Sequence, residues 1–184
     1  MDLEKEKETI KMAKRDPEIF GLLYDEHYRA IFNYVLKRTA DIELTKDLTS
    51  QTFFNALKGL GKFRWQNVSF SAWLYRIATN EINSFYRKKK KHIQITIDSV
   101  PEIPSKDTPD KEFEMAEQEL ENKREFMKLH QNISKLSPIY QTVIVLRFLE
   151  KKKIFEICKI LGKPEGTIKS QIHRALGELR KLMG

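Results

Sequence analysis

The feature that most restricts the fold is Gly162-Lys163-Pro164, set between two short stretches whose apolar residues recur at helical spacing. Glycine adopts the left-handed conformation that closes a helix, and proline cannot extend one. "IFEICKIL" and "PEGTIKSQIHRALGELRK" are therefore separate helices meeting across a tight turn. In the second, at about 100° per residue, Ile172, Ala175, Leu176 and Leu179 fall within about 80° of Ile168. Ser170, His173, Arg174, Gly177 and Lys181 gather on the opposite side. In the first, Ile154, Ile157, Cys158 and Leu161 share one side.

This is the pattern of a helix-turn-helix, whose second helix lies in a DNA major groove. Ser170, His173 and Arg174 would then face bases and phosphates, with Lys169 and Lys181 nearer the backbone. An αα-hairpin inside an ordinary bundle would leave the same ridge solvated. Gln171 and Glu178 point sideways and receive no contact.

Elsewhere the chain also reads as helix. Asp16-Pro17 is an N-cap followed by proline in the first turn. From there Ile19, Leu22, Leu23, Ile31 and Val35 recur at helical spacing. Asp41 opens a second helix with Ile42, Leu48, Phe53, Phe54 and Leu57 mostly inward, stopped by Gly59 and Gly61. Ser69 or Ser71 opens a third. "HIQITID", residues 92–98, alternates at period two but is too short and isolated for a sheet, and reads as extended linker. Pro101, Pro104 and Pro109 mark a break between modules, a helix resumes near Asp110, and Ser137-Pro138 caps another. The expected fold is all-α: two small helical modules, residues 1–91 and 133–184, joined across residues 92–132 by an acidic, Pro-containing flexible linker and connecting helix.

Charge points to the partner class. The net charge of +8 divides into +6 over residues 1–97, −7 over 98–121 and +9 over 122–184. Two basic blocks attract polyanions, nucleic acid foremost. Residues 58–91 hold nine Lys/Arg against the single acid Glu81, together with seven of the chain's aromatic residues. Cations that track a backbone and rings that stack on bases are what single-stranded nucleic acid requires. A helical wheel puts Phe70, Trp73, Leu74, Ile77, Ala78 and Phe85 inward, and Tyr75, Arg76, Thr79, Asn83 and Tyr86 outward. By that wheel Tyr75 and Tyr86 cannot belong to the core. Trp65, in the polar loop ahead of the helix, is placed to catch an unstacked base.

Other functions lack residues. Cys158 is the single cysteine and reads as a small buried hydrophobe; the four histidines show no metal-ligand spacing. No phosphate loop, nucleophile set or carboxylate pair is present, so neither enzyme chemistry nor a cofactor is expected. No apolar run approaches the ~20 residues that span a bilayer. The start is too charged for a secretory signal, which places the chain in the cytoplasm without membrane insertion.

At this point the chain resembles a known family. "DPEIFGLLYDEHY" and the following "DIELTKDLTSQTFFNALKGLGKFRWQNVSFSAWLYRIATNEINSFYRKKKK" resemble region 2 of the extracytoplasmic-function (ECF) sigma factors of bacterial RNA polymerase. "LSPIYQTVIVLRFLEKKKIFEICKILGKPEGTIKSQIHRALGELRK" resembles their region 4. The resemblance covers about residues 16–91 and 133–181 and implies an alternative sigma factor that binds core RNA polymerase and directs it to promoter DNA. It implies that Asp47, Leu48, Thr49, Gln51 and Phe53 dock on the β′ clamp coiled coil, and that region 4 packs on the β flap. It implies that Arg64, Trp65, Gln66 and Asn67 in the loop, with Tyr75, Arg76, Asn80 and Asn83 on the helix, hold the melted minus-ten strand. Lys169, Ser170, His173 and Arg174 would read the minus-thirty-five duplex, and an anti-sigma factor would regulate the whole. Ser50-Gln51 stand where many members carry Gln-Glu, and Lys151-Lys152-Lys153 replaces a turn that usually contains glycine. The acidic strip would thread the catalytic cleft as a nucleic-acid mimic, or simply keep the two basic modules apart. Two rivals remain: a helix-turn-helix regulator that works without polymerase, and a sigma mimic that titrates anti-sigma factors.

Overall fold

The structure, a computed structural model, describes residues 3–65, 68–95 and 124–183. Helix α1 spans Leu3–Ala13, α2 Phe20–Thr39, α3 Ile42–Gly59 and α4 Phe70–Ile95. After the linker come α5 at Arg124–Ser134, α6 at Pro138–Ile144, α7 at Ile154–Leu161 and α8 at Glu165–Met183. Among the described residues there is no strand, and no helix is long and apolar enough to cross a membrane.

The starts follow cap chemistry. The Asp16 carboxylate accepts the Glu18 N–H at 3.0 Å ahead of a short 3-10 turn at Pro17–Ile19, and Asp41 accepts the Leu44 N–H at 2.9 Å. Ser69 accepts the Ala72 N–H at 3.1 Å, and Ser137 caps α6 with Pro138 in its first turn. These side chains satisfy N–H groups that a helix start leaves unpaired. Gly59 is the last residue of α3, and a Cβ there would sit 3.1 Å from Trp73 Cζ2, so glycine lets that ring pack against the helix end.

Two expectations fail here. α1 was not anticipated, yet it buries Ile10 and Ala13 against α2. Residues 92–95 are not extended: α4 runs on to Ile95, because adding a turn to an existing helix is easier than starting a strand without a partner. Residues 96–98, the acidic strip and the start of the helix expected near Asp110 lie outside the described residues, while the later part of that helix is α5.

Packing joins what the sequence separates. The apolar cluster that starts with Ile10, Leu23 and Val35 continues without a gap into Val143, Ile157, Ile168 and Leu179. α4 is the shared element, set against α2 and α3 on one side and α7 on the other. Next to this seam α6 continues as a π turn over Val145–Leu149, and the chain then turns back at Lys151. Lys151 has φ 53, a left-handed conformation in which a Cβ is strained. This is the turn where the resemblance expects glycine. Changing Lys151→Gly should therefore raise stability by up to about 1 kcal/mol, read as a higher denaturation midpoint; a lower midpoint would show that the lysine side chain contributes more than the strain costs.

Candidate nucleic-acid interface

The helix-turn-helix forms as its sequence dictates. Gly162 closes α7 with φ 64, and the Pro164 carbonyl accepts the Ile168 N–H at 3.1 Å to begin α8. Ile168, Ala175 and Leu179 are buried, with Ile172 and Leu176 at the edge. Lys169, Ser170, His173 and Arg174 are exposed on the other side. Lys169 pairs with Glu165 at 2.7 Å, and that hydrogen bond raises its pKa, so its charge is secure near neutral pH. The ridge is a free polar face with two cations.

The aromatic loop is built from its flanks. Phe63, Phe70 and Trp73 interlock at centroid separations of 4.8–5.6 Å, and Trp65 sets its ring edge-on to Phe63 at 6.2 Å. Trp65 and Trp73 are half-buried and Arg64 is exposed; Gln66 and Asn67 lie outside the described residues. α1 fastens both ends of this loop. Lys14 Nζ donates to the Phe63 carbonyl, and Lys7 Nζ lies 5.7 Å from the Trp65 ring. Glu6 pairs with His27 at 2.9 Å, and the His27 ring packs on Phe70, the first residue of α4. These positioning residues were missed. Their signal was weak, because a charged helix with few apolar positions looks like a solvated tail.

Further along α4, Asn80 is exposed and Asn83 half-buried, with its Oδ1 buried and without a hydrogen-bond partner. The two residues between loop and asparagines depart from expectation. Tyr75 is 2% exposed and Thr79 is buried, so the wheel's outward face is not a surface. Tyr86 is half-buried as well. Thr79 is covered within its own module, where Tyr34 Oη meets its Oγ1 at 2.8 Å, whereas Tyr75 and Arg76 are engaged by the second module. Tyr75 Oη donates to Glu150 Oε2 at 2.7 Å, and Lys152 Nζ lies 4.5 Å from its ring. Burial, followed by the Glu150 charge, pushes the Tyr75 hydroxyl well above its ordinary pKa, which keeps it a donor. Arg76 donates through Nε to the Ile160 carbonyl at 2.9 Å and through Nη2 to that of Lys159, at the C-terminal end of α7 where carbonyls are unpaired. The helix dipole favours a cation there.

The docking set divides similarly. Asp47 and Gln51 are exposed on α3, whereas Leu48, Thr49 and Phe53 are buried and hold the helix in place. The exposed apolar residues on this helix are Phe54 and Leu57, which the sequence reading had turned inward. Phe54 lies about 100° round the helix from Phe53 and is 50% exposed, on the side away from the core. The outward patch is thus Asp47, Ser50, Gln51, Phe54 and Leu57. Leu22 also faces outward, 58% exposed, on α2.

With this geometry in hand, comparison with known proteins is informative. The family model Sigma-70 region 2 matches residues 23–92, and Sigma-70, region 4 matches residues 126–179. The chain is 35% identical to RNA polymerase sigma factor YlaC of Bacillus subtilis (strain 168), covering 88% of this chain and 90% of that protein. It is 31% identical to the ECF RNA polymerase sigma factor SigW of the same organism, covering 95% of each. With the ECF RNA polymerase sigma factor BldN of Streptomyces coelicolor identity is 28%, over 96% of this chain but only 65% of that longer protein. Among solved structures, CnrH in complex with the cytosolic domain of CnrY superposes with a TM-score of 0.68 at 21% identity, over 97% and 96% of the two chains. RpoE in complex with the anti-sigma factor NepR from Bartonella quintana gives 0.63 at 21% identity, over 89% and 96%. At that identity the likeness concerns the fold.

Besides Tyr75, the seam contains a histidine whose pKa shift has a clear direction. His130 of α5 lies with Nε2 3.3 Å from the Arg38 carbonyl, and burial pulls its pKa below the ordinary imidazole value. The packed chain therefore favours neutral His130. Its contribution is complete above the unfolded value of about 6.5 and is lost as pH falls through that value toward the lower packed one. Denaturation midpoints should fall between pH 7.5 and pH 5, and fall less in His130→Gln; parallel curves for the two proteins would remove His130 as the cause.

Proposed function

The chain belongs to the ECF RNA polymerase sigma factors, and from that premise we propose that it binds core RNA polymerase, directs it to specific promoters and stabilises the melted minus-ten strand. The observation that carries this reading is the free ridge of α8, Lys169, Ser170, His173 and Arg174, on the second helix of a helix-turn-helix inside the region-4 match. A groove-sized helix with exposed donors is suited to intact duplex. The region-2 half supplies the complementary surface, with Arg64 and Trp65 at the loop and Asn80 and Asn83 along α4. Tyr75 and Arg76 join that surface once the second module moves off it. Binding the unstacked strand in preference to duplex favours the open state by differential affinity.

In this proposal the chain performs no chemistry of its own and carries no cofactor; the polymerase makes the RNA. Its docking face is the outward patch on α3, with Asp47 and Gln51 from the expected set and Phe54 and Leu57 beside them, while region 4 contacts the β flap. It acts in the cytoplasm, where its polymerase and DNA are. An anti-sigma factor is the proposed regulator, in keeping with the family and with the partner named in the RpoE complex.

Transcription with purified core enzyme on a genomic DNA pool tests the reading as a whole. New start sites absent from core alone are expected, and their absence on a pool from any bacterial source would overturn it. Two variants test the assignments. Arg174→Ala should reduce discrimination between matched and mutated minus-thirty-five elements by ~1–3 kcal/mol, the scale of a bidentate base contact. Asp47→Lys should lose retention on immobilised core while keeping its helical spectrum. Normal retention would place the docking face elsewhere.

A further inference from the structure

The seam between the modules has a one-sided chemistry. Nearly every hydrogen-bond donor across it comes from the first module and nearly every acceptor from the second. Lys37 Nζ donates to Glu150 Oε1 at 2.8 Å and to the Leu149 carbonyl at 3.2 Å. Arg38 donates to Thr142 Oγ1 at 2.6 Å and, at 3.4 Å, to Gln141 Oε1. Tyr75 donates to the other Glu150 oxygen, and Arg76 to the two carbonyls ending α7. His130, whose Nε2 meets the Arg38 carbonyl, is the exception. Lys37 and Arg38 occupy the last turn of α2, and Tyr75 and Arg76 lie alongside on α4. Lys37 and Tyr75 thus converge on one carboxylate, while Arg38 and Arg76 meet uncharged acceptors, a hydroxyl, an amide oxygen and two carbonyls. The Glu150 side chain is only 8% exposed.

A carboxylate with flanking carbonyls presents to these donors what a phosphodiester presents: an anionic centre with several acceptor oxygens. We propose that Lys37 and Arg38, with Tyr75 and Arg76, form a phosphate-binding surface for the opened DNA strand, and that Glu150 occupies it in the closed chain as an internal competitor. This rests on the sigma-factor reading for the identity of the ligand. The surface extends the strand path beyond Arg64 and Trp65 to the end of α2, where no motif had placed a contact. Lys152, over the Tyr75 ring, departs with the second module and exposes that side of the ring, which stays packed on Tyr34 at 5.0 Å.

The competition has a quantitative consequence. If only the open chain binds strand, the apparent dissociation constant is the intrinsic one divided by the open fraction. Removing the charge at residue 150 weakens a charge-assisted pair that is mostly desolvated, and should raise the open fraction severalfold or more. Recognition on this surface is of phosphate, not of sequence, so a random oligonucleotide reports it.

The test uses the full-length chain, without polymerase, and a fluorescein-labelled pool of single-stranded DNA about 20 nucleotides long. Glu150→Gln should increase the radius of gyration in small-angle scattering and bind the pool about tenfold more tightly than wild type. Glu43→Gln, an equal change of charge on the exposed face of α3, should do neither. In the Glu150→Gln background, adding Lys37→Gln and Arg38→Gln should weaken binding and reduce the slope of log affinity against log salt by about 1.4, at ~0.7 per phosphate. Lys37→Gln alone, at a half-exposed site, should give half that reduction if the Arg38 variant proves unstable. Expansion without tighter binding would overturn the competitor role. Tighter binding with an unchanged salt slope would overturn the phosphate surface, and no change in either measurement would overturn both. None of these results depends on start sites appearing with core enzyme, so failure of the sigma-factor reading would be seen separately.

Discussion

Helix α4 is the element on which the remainder depends, because both of its faces are covered. Leu74, Ala78 and Ile82 are sealed against α2 and α3, and Phe70 anchors its start among Phe63, Trp73 and His27. On the other side Tyr75 and Arg76 are engaged by the second module. Within the first module Tyr34 Oη meets Thr79 Oγ1 at 2.8 Å, and Thr79 also donates to the Tyr75 carbonyl, so the buried hydroxyls on the covered face have partners. A helix in this position fixes the geometry of the loop before it and registers one module on the other. Movement of the second module changes what α4 exposes while its inner face stays packed.

The parts of this arrangement that were legible in the sequence are those decided by a single core. The α8 wheel separated Ile168, Ala175 and Leu179 from Lys169, Ser170, His173 and Arg174 correctly, because α8 packs on its own module and has solvent opposite. The same procedure failed on α4. A wheel separates apolar from polar directions, but Tyr75 and Arg76 point at polar groups of another module and Thr79 at Tyr34 of its own, and no periodicity distinguishes either from water. α3 failed for a different reason: Phe54 and Leu57 are as apolar as Phe53, and only packing shows that they exceed what the core can take. α1 was lost because its function rests on three specific pairings, Lys7 with Trp65, Lys14 with the Phe63 carbonyl and Glu6 with His27, each invisible without the fold. The family resemblance put Leu48, Thr49 and Phe53 on a docking face, but these three are buried in the module's own core.

Lys151 shows how local and tertiary demands meet. A left-handed residue at the end of the π turn redirects the chain so that Lys152 can reach the Tyr75 ring while Glu150 turns to Tyr75 and Lys37. The backbone holds this geometry through the Lys152 N–H to the Leu146 carbonyl at 2.9 Å and the Glu150 N–H to that of Val145 at 2.9 Å. Strained residues persist where surrounding contacts over-determine them. Here they are the backbone bonds within the turn together with the contacts of Glu150 and Lys152 across the seam, and the second set ties the conformation of one turn to the closure of the whole chain.

Closure runs against the long-range electrostatics, and this makes it conditional. The sequence assigns +6 to residues 1–97 and +9 to residues 122–184, so the two modules repel wherever their charges are separated by less than a Debye length of about 8–10 Å. What opposes that repulsion is short-ranged: apolar burial around Ile157 and Ile160, the guanidinium of Arg76 on the end of α7, and one carboxylate shared by Lys37 and Tyr75. A polyanion replaces the carboxylate, which opens the seam, and neutralises the repelling charge, which removes a force toward opening, so the two effects oppose each other and opening by strand rests on the first. Added salt acts on both in one direction, toward the closed chain, screening the repulsion that opens it and weakening the strand that would hold it open. The balance between a closed chain and a DNA-bound one therefore lies in a few paired groups at one seam, with the bulk of each module unchanged.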